Sequence, residues 1–302
     1  MGLFLHKDRY HKGSGIKRLN KGDSINLSNS LTLLFTQGIG TDFADLSGSS
    51  NHGTGTSTVW SIGKFGKTLR YDGSGAYTTV SNESSFDFNQ QYFTVSLWFK
   101  SNLSTSGILA SKGGSNNGGW SVTLNGTGTL SGAFKDTPGT TTHARVTVGL
   151  YNDNQWHHVV AVYYFDTVTS GNNSISLYID GVLDTASLTG SGTAPALNNY
   201  PVRLGIREGS TGLITPYYGL IDNVRIWSRE LRTDEIRRLY KEPFAGLVPT
   251  MGVGALTLDG LDALAAAAGL IKTRNGLAWA SVKTVDGLAA ASVKTINGLA
   301  AN

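Results

Sequence analysis

The sequence predicts an all-β fold in which two antiparallel sheets pack face to face over residues 31–243. Three observations predict it. Short runs rich in β-branched and aromatic residues recur along this stretch with turn residues between them. The composition, with 39 glycines, 10% aromatic residues and only 15% charged residues, suits short strands joined by many turns. Trp156–Tyr163, followed by Ile175–Val182 with a tight turn at Asp180-Gly181, reads as a pair of neighbouring strands.

Taken in order, Leu31–Phe35 opens the domain. Thr68–Tyr71 runs into an Asp72-Gly73 turn, and Tyr77–Val80 follows. In Phe93–Lys100, residues Phe93, Val95, Leu97 and Phe99 share one face and Trp98 falls on the other. Gly107–Ser111, Trp120–Leu124, Thr129–Phe134 and Ala144–Val148 come next. Val202–Ile206 and Leu220–Trp227 follow the central pair. Such spacing without intervening helices fits a sandwich or jelly roll, with alternate residues filling a gap of about 10 Å. One helix is expected at Thr233–Tyr240. Thr233 reads as its N-cap, Asp234 and Glu235 as first-turn acids, and Pro243 as its stop. Ile236, Leu239 and Tyr240 form the stripe that would lie on the sandwich.

Residues 1–30 read as a basic arm. Residues 1–21 hold Lys7, Arg9, Lys12, Lys17, Arg18 and Lys21 against Asp8 alone, whereas the whole chain carries +4. The basic character therefore belongs to the arm. Such an arm either stays solvated or docks on an acidic neighbour. No aromatic-interleaved basic patch follows, so dedicated nucleic-acid recognition is not expected. The absence of cysteine excludes disulfides and Cys-ligated zinc and leaves the redox compartment open. No secretion signal, myristoylation motif or apolar run long enough to span a membrane is expected, since position 6 is His6 and the apolar start is short.

Residues 244–302 form a Gly/Ala-rich tail with an 11-residue repeat. Asn275-Gly276, Asp286-Gly287 and Asn297-Gly298 are each followed by Leu-Ala, and Ser281–Val285 recurs as Ser292–Ile296. Asn-Gly and Asp-Gly between β-branched stretches signal hairpins. The tail holds few large apolar residues, so burial within it cannot offset the entropy of ordering it. It must stay disordered, stack on other copies or dock on a larger body, and the last two are expected. Asn275, Gly276, Asp286, Gly287, Val293, Asn297 and Gly298 are the anchoring candidates.

Six segments, in order, resemble the laminin G-like, concanavalin A-like jelly-roll family. They are Asp42–Gly53, Leu69–Gly73 with Tyr77, Phe93–Phe99, Gln155–Val160, Leu177–Gly181, and Gly219–Trp227 with Leu231 and Glu235–Tyr240. The glutamate usual after Asp222 is Asn223 here. The resemblance implies a fold shared by carbohydrate-binding, protein-binding and structural modules rather than one function. It also points to calcium in rim loops, where Asp72 and Asp222 would meet Asp42 and Asp45. The alternative roles for these acids are turn and backbone hydrogen bonds.

Sugar binding needs exposed rings with polar groups beside them. Trp120 next to Asn116 and Asn117, and Tyr217 with Tyr218, are the candidates, against a purely core role for Trp120. His157 and His158 face opposite sides of a strand and do not chelate one ion. The acidic residues lie mostly in turns rather than as a pair on one strand, so no catalytic residue is expected. The repeats beside a basic arm and a jelly roll resemble structural proteins of tailed bacteriophages. That resemblance implies a non-enzymatic virion component (decoration, fibre or tail protein) assembled in the host cytoplasm, with other virion proteins and its own copies as partners. A carbohydrate-binding adhesin for a surface polysaccharide and a depolymerase are the alternatives.

Overall fold

The computed structural model describes residues 16–88, 92–114, 118–135, 142–165, 173–186, 188–189 and 198–249, and six two-residue strands between 273 and 300. The strands run as β1 (Ile16–Leu19), β2 (Asn29–Leu33), β3 (Asp42–Phe43), β4 (Gly53–Thr56), β5 (Val59–Gly63), β6 (Gly66–Asp72) and β7 (Tyr77–Val80). Next come β8 (Tyr92–Lys100), β9 (Gly107–Gly113), β10 (Gly119–Leu124), β11 (Leu130–Lys135), β12 (Thr142–Val146), β13 (Trp156–Tyr164) and β14 (Ser174–Ile179). The set continues with β15 (Val182–Leu183), β16 (Leu188–Thr189), β17 (Val202–Leu204), β18 (Arg207–Gly209), β19 (Gly212–Ile214) and β20 (Tyr218–Trp227). It closes with helix α1 (Thr233–Lys241) and β21 (Leu247–Pro249).

Among the described residues these strands build two large antiparallel sheets. The nine-stranded sheet runs β16-β12-β11-β10-β9-β17-β7-β4-β3. The eight-stranded sheet runs β15-β14-β13-β8-β20-β6-β5, with β2 added alongside β20. Alternation does the packing. Phe93, Val95, Leu97 and Phe99 of β8 point inward with Val159, Ala161 and Tyr163 of β13, and all seven are essentially buried. Val80, Val122, Leu124, Phe134, Val202 and Leu204 meet them from the other sheet, completing one core. Phe93 stacks on Tyr163 at 4.6 Å and on Phe88 at 4.5 Å.

The eight-stranded sheet is buried on its outer face too. Val160, Val162, Tyr178 and Trp227 of that face form a second apolar cluster with Ile25, Leu231, Ile236, Leu239 and Ala245. This double burial explains why β13 reads as an unbroken apolar run. Helix α1 is the cover. Arg232 rather than Thr233 is the N-cap residue: Glu235 accepts from the Arg232 backbone at 2.9 Å, and the Thr233 hydroxyl lies 3.2 Å from the Tyr178 hydroxyl. Tyr240 is 38% exposed rather than buried, with its ring stacked on Trp98 at 5.6 Å.

The expected boundaries at 30 and 243 both move outward. β1 pairs antiparallel with β21, and the Trp227 indole donates to the Ile25 carbonyl at 2.7 Å. Asp23 receives both Nη groups of Arg238, at 2.9 and 2.7 Å. The 16–30 stretch thus belongs to the cover of the sheet, because Ile25 fills an apolar place beneath the helix.

The chain divides into two units, Met1–Pro249 and Thr250–Asn302. In the second, β22 (Thr273–Arg274) pairs with β23 (Leu277–Ala278), β24 (Thr284–Val285) with β25 (Leu288–Ala289), and β26 (Thr295–Ile296) with β27 (Leu299–Ala300). The anchoring candidates Asn275, Gly276, Asp286, Gly287, Val293, Asn297 and Gly298 lie outside the described residues.

Candidate binding face

The two sheets differ in what lies on their outer faces. Across the nine-stranded sheet, strand register aligns one complete outward row: Asp42, Thr54, Thr79, Arg203, Ser111, Ser121, Ala133, Ala144 and Thr189. Every member is small or polar, and all but Ser111 are exposed or half-buried. Among the described residues, this row presents no large apolar side chain.

The β18–β19 hairpin rises beside this row. A bridge between Gly114 and Glu208 ties it to the end of β9. Glu208 accepts from Arg203 Nε at 2.7 Å, and Arg203 also donates to the Thr79 hydroxyl at 2.8 Å while lying 5.0 Å over the Tyr77 ring. Beside the hairpin, Arg207, Lys135, Ser111, Gly113, Gly119 and Ser121 line a small cavity of about 40 Å³. The lining needs glycine for the chain's own path. Gly119 sits at φ +120°, and a Cβ there would meet the Lys112 carbonyl oxygen at 2.0 Å. Arg207 Nε is shielded from solvent and has no hydrogen-bond partner, and burial pushes the Arg207 pKa down.

The sequence-derived candidates fall elsewhere. Trp120 is 4% exposed and points inward against Phe93, and Tyr217 is fully buried with its hydroxyl donating to the Lys100 carbonyl at 3.0 Å. Neither offers a ring to a sugar, because each occupies an inward position of the core. Tyr218, the next residue, is 39% exposed, with the Arg70 guanidinium 5.9 Å over its ring. Asn116 and Asn117 lie outside the described residues.

The four acids named for calcium do separate structural work. Asp72 accepts the backbone N–H groups of Ser74, Gly75 and Ala76 at 2.9–3.0 Å, which hold its carboxyl well below the usual range. Asp45 accepts from the backbone of Thr32, Ser47 and Asn51 at 2.9–3.0 Å. Asp42 receives the Thr54 hydroxyl at 3.2 Å, and Asp222 is buried in the sheet. Among the described residues no group of three or more His, Asp or Glu side chains is placed to hold a metal ion. Asp72 and Asp45 are already engaged by backbone N–H donors, so these two do not offer open oxygens to a shared ion.

The two histidines diverge as alternation requires. His157 Nδ1 lies 2.8 Å from Asp180 and Nε2 3.1 Å from Asp153, and the bond to Asp180 pushes its pKa up. His158 is buried against Trp98 on the other face, 2.9 Å from the Ser96 hydroxyl, and burial pushes it down to about 3. Asp180 and Gly181 both have positive φ (51° and 80°), the two-residue turn expected there.

This two-sheet antiparallel sandwich is of the jelly-roll class. The family model Laminin_G_3, of the concanavalin A-like lectin/glucanases superfamily, matches residues 72–237, more than half of the 302 residues. The chain belongs to that superfamily. A curated relative, adhesion G-protein coupled receptor V1 of Danio rerio, is 28% identical over 177 residues. That match covers 56% of this chain and 3% of the receptor, so the chain spans a small fraction of that relative's length. The binding domain of Paraclostridial Mosquitocidal Protein 1 superposes with a TM-score of 0.57 at 19% identity, covering 73% of this chain and 53% of that one. The receptor binding domain of botulinum neurotoxin D gives 0.52 at 18%, covering 74% and 54%. At these identities the likeness to the solved structures is one of fold.

Proposed function

We propose that the chain is a non-enzymatic structural component of a virion, a decoration, fibre or tail protein that displays the sandwich as a binding module and is anchored through its termini. The tail carries this reading. Its three strand pairs have two residues per strand and recur at the 11-residue spacing of the sequence. An isolated two-stranded hairpin is at best marginal in water, and repeats gain stability by burying surface against neighbours. Copies of this chain side by side would supply such neighbours, which is the situation of a fibre or particle protein.

Catalysis has no place in this reading. Asp42, Asp72, Glu208 and Asp222 each stand as the single acid of their strand, whereas glycoside cleavage takes a facing pair of carboxylates. A surface polysaccharide is the second reading for the sandwich's partner, favoured by the open row of hydroxyl-bearing and small side chains on the nine-stranded sheet. The solved structures of the same fold are described as binding domains, in keeping with a binding role.

Purified particles test the reading. The full chain is expected to co-purify with them at a fixed copy number, and a chain ending at Pro249 to remain in the soluble fraction. Particles that lack the full chain would overturn it. New reducing ends on incubation with host polysaccharide would overturn its non-enzymatic part.

A further inference from the structure

We propose that β5, the free edge of the eight-stranded sheet, pairs antiparallel with β5 of a second copy about a two-fold axis, with Ser61 of each copy facing Ser61 of the other. The inference goes beyond the role proposed for the chain and does not depend on the tail.

An edge strand presents unpaired backbone groups, and folded proteins blunt such edges by shortness, charge, proline or a bulge. Among the described residues, the two large sheets end in β3, β5, β15 and β16. Three of these edges, β3, β15 and β16, are two residues long. β5 is five residues long, Val59-Trp60-Ser61-Ile62-Gly63, and holds no charge, no proline and no bulge. Gly63 and Gly66 close the β5–β6 hairpin as a hydrogen-bonded pair. Bonding alternates from there, so Ser61 and Val59 bond to β6, and the N–H and carbonyl groups of Trp60 and Ile62 point outward. Among the described residues nothing bonds to these outward groups. Ile62 is also the most exposed large apolar side chain described, at 82%.

A second β5 fits this edge in register, in side chains and in charge. With Ser61 opposite Ser61, Trp60 of each copy exchanges both backbone bonds with Ile62 of the other, and every outward group of the two residues is satisfied. Trp60 and Ile62 share a face. Each copy therefore lays an isoleucine beside the other's indole, an aromatic and β-branched cross-strand pair. Val59 falls opposite Gly63, and Thr58 opposite Lys64. No like charges meet. The two Lys64 residues stand about 20 Å apart at about 3.4 Å per residue, well beyond the Debye length of about 8 Å. A two-fold axis makes one surface its own complement, so a second copy brings the matching uncharged strand by symmetry. The contact is small against the roughly 1,200 Å² at which stable interfaces begin. The pairing is therefore weak: it forms where copies are concentrated and comes apart on dilution.

Disulfide trapping in the full chain reads the register directly, because the sequence has no cysteine of its own. Facing residues at a non-hydrogen-bonded antiparallel site have Cα atoms about 4.5 Å apart, within the roughly 4.4–6.8 Å that a disulfide spans. In concentrated protein, Ser61→Cys is expected to form covalent dimers about tenfold faster than Val59→Cys, whose equivalent in the other copy lies about 14 Å away. Val59 is the more exposed of the two, so simple accessibility predicts the reverse order. Ile62→Pro removes an outward N–H and no bond to β6. Added to Ser61→Cys, it is expected to slow trapping to the Val59→Cys rate. Near-UV circular dichroism matching the parent protein establishes that each variant is folded. Amide exchange of the unmodified chain needs no variant: in a concentrated sample, Trp60 and Ile62 are expected to exchange as slowly as Ser61 and Gly63. Equal trapping of Ser61→Cys and Val59→Cys, or trapping indifferent to Ile62→Pro, would overturn the pairing. Fast exchange at Trp60 and Ile62 beside protected Ser61 and Gly63 would overturn it as well.

Discussion

His157 and His158 are neighbours in the chain and titrate in opposite directions, because a strand sends one to each face of the sheet. For His158 the folded value of about 3 lies below the ordinary 6.5. The unfolded chain therefore takes up the proton first, and stability falls as pH drops below 6.5. At about 1.4 kcal/mol per pH unit, the loss reaches roughly 2.5 kcal/mol near pH 4.5. His157 is raised by its bond to Asp180, so its contribution is complete below 6.5 and is lost only as pH rises through the folded value. It is constant across the acid window. His158→Gln is thus expected to flatten the decline in melting temperature between about pH 6.5 and 4.5 in scanning calorimetry; an unchanged slope would contradict this.

Arg225 makes a second prediction at this scale. It is buried, donates to the Ala245 and Pro243 carbonyls at 2.8 Å each, and is pushed down to about 9 by burial. Arg225→Met fills the space, leaves the Ala245 carbonyl unbonded and leaves the Pro243 carbonyl with the Asn223 amide alone. The expected loss is about 3 kcal/mol by urea unfolding; a change within error would show that water replaces the guanidinium. Individual site residues were the least legible feature of the sequence. Trp120 and Tyr217 look like binding rings when read beside glycine and proline, yet strand alternation sends Trp120 inward and Tyr217 is buried in the core just before β20. Residues 207–214, to which the sequence reading assigns no element, form the β18–β19 hairpin, with Gly209 and Gly212 bracketing Ser210-Thr211.

Among elements, long strands with strong alternation were legible and short ones were not. β8, β13, β14 and β20 follow from their periodicity. β3, β4 and β5 did not: Asp42–Gly53 reads as a loop because its strands are short and glycine-bearing, and β5 alternates weakly. β20 also hides a bulge. Asn223 takes φ 48° where the register shifts between Asp222 and Arg225, and its side chain donates to the Pro243 carbonyl at 2.6 Å. Asparagine tolerates that conformation better than the glutamate usual there, which gives the departure a structural reason. Helix α1 rests on Ile236, which is fully buried. Ile236→Ala is expected to cost about 2–4 kcal/mol in chemical denaturation, and a loss under 1 kcal/mol would mean that the helix is not an integral cover. Arg238→Ala removes the clasp on Asp23, so amide exchange of residues 20–28 is expected to quicken while that of β8 and β13 stays unchanged.

Among the described residues, the eight-stranded sheet is covered on both faces, whereas the outward row of the nine-stranded sheet is small or polar. That asymmetry was not visible in the sequence. It arises because residues 16–30 and 244–249, read as arm and tail, close over the eight-stranded sheet with the helix. The sandwich core was legible because alternating aromatics define it. The tail's hairpins were legible because Asn-Gly and Asp-Gly mark turns, although two-residue strands say nothing about what they stack against. The sandwich is therefore expected to melt at the same temperature with or without residues 250–302, since its core and its cover end at Pro249.

The proposed anchoring requires a sandwich that folds by itself and a tail whose repeats stack on other copies of the chain. Light scattering on the eluting peak, for the full chain and for a chain ending at Pro249, measures both. A defined oligomer is expected for the first and a folded monomer for the second. A monomeric full chain, or the same assembled mass for both, would refute the proposal.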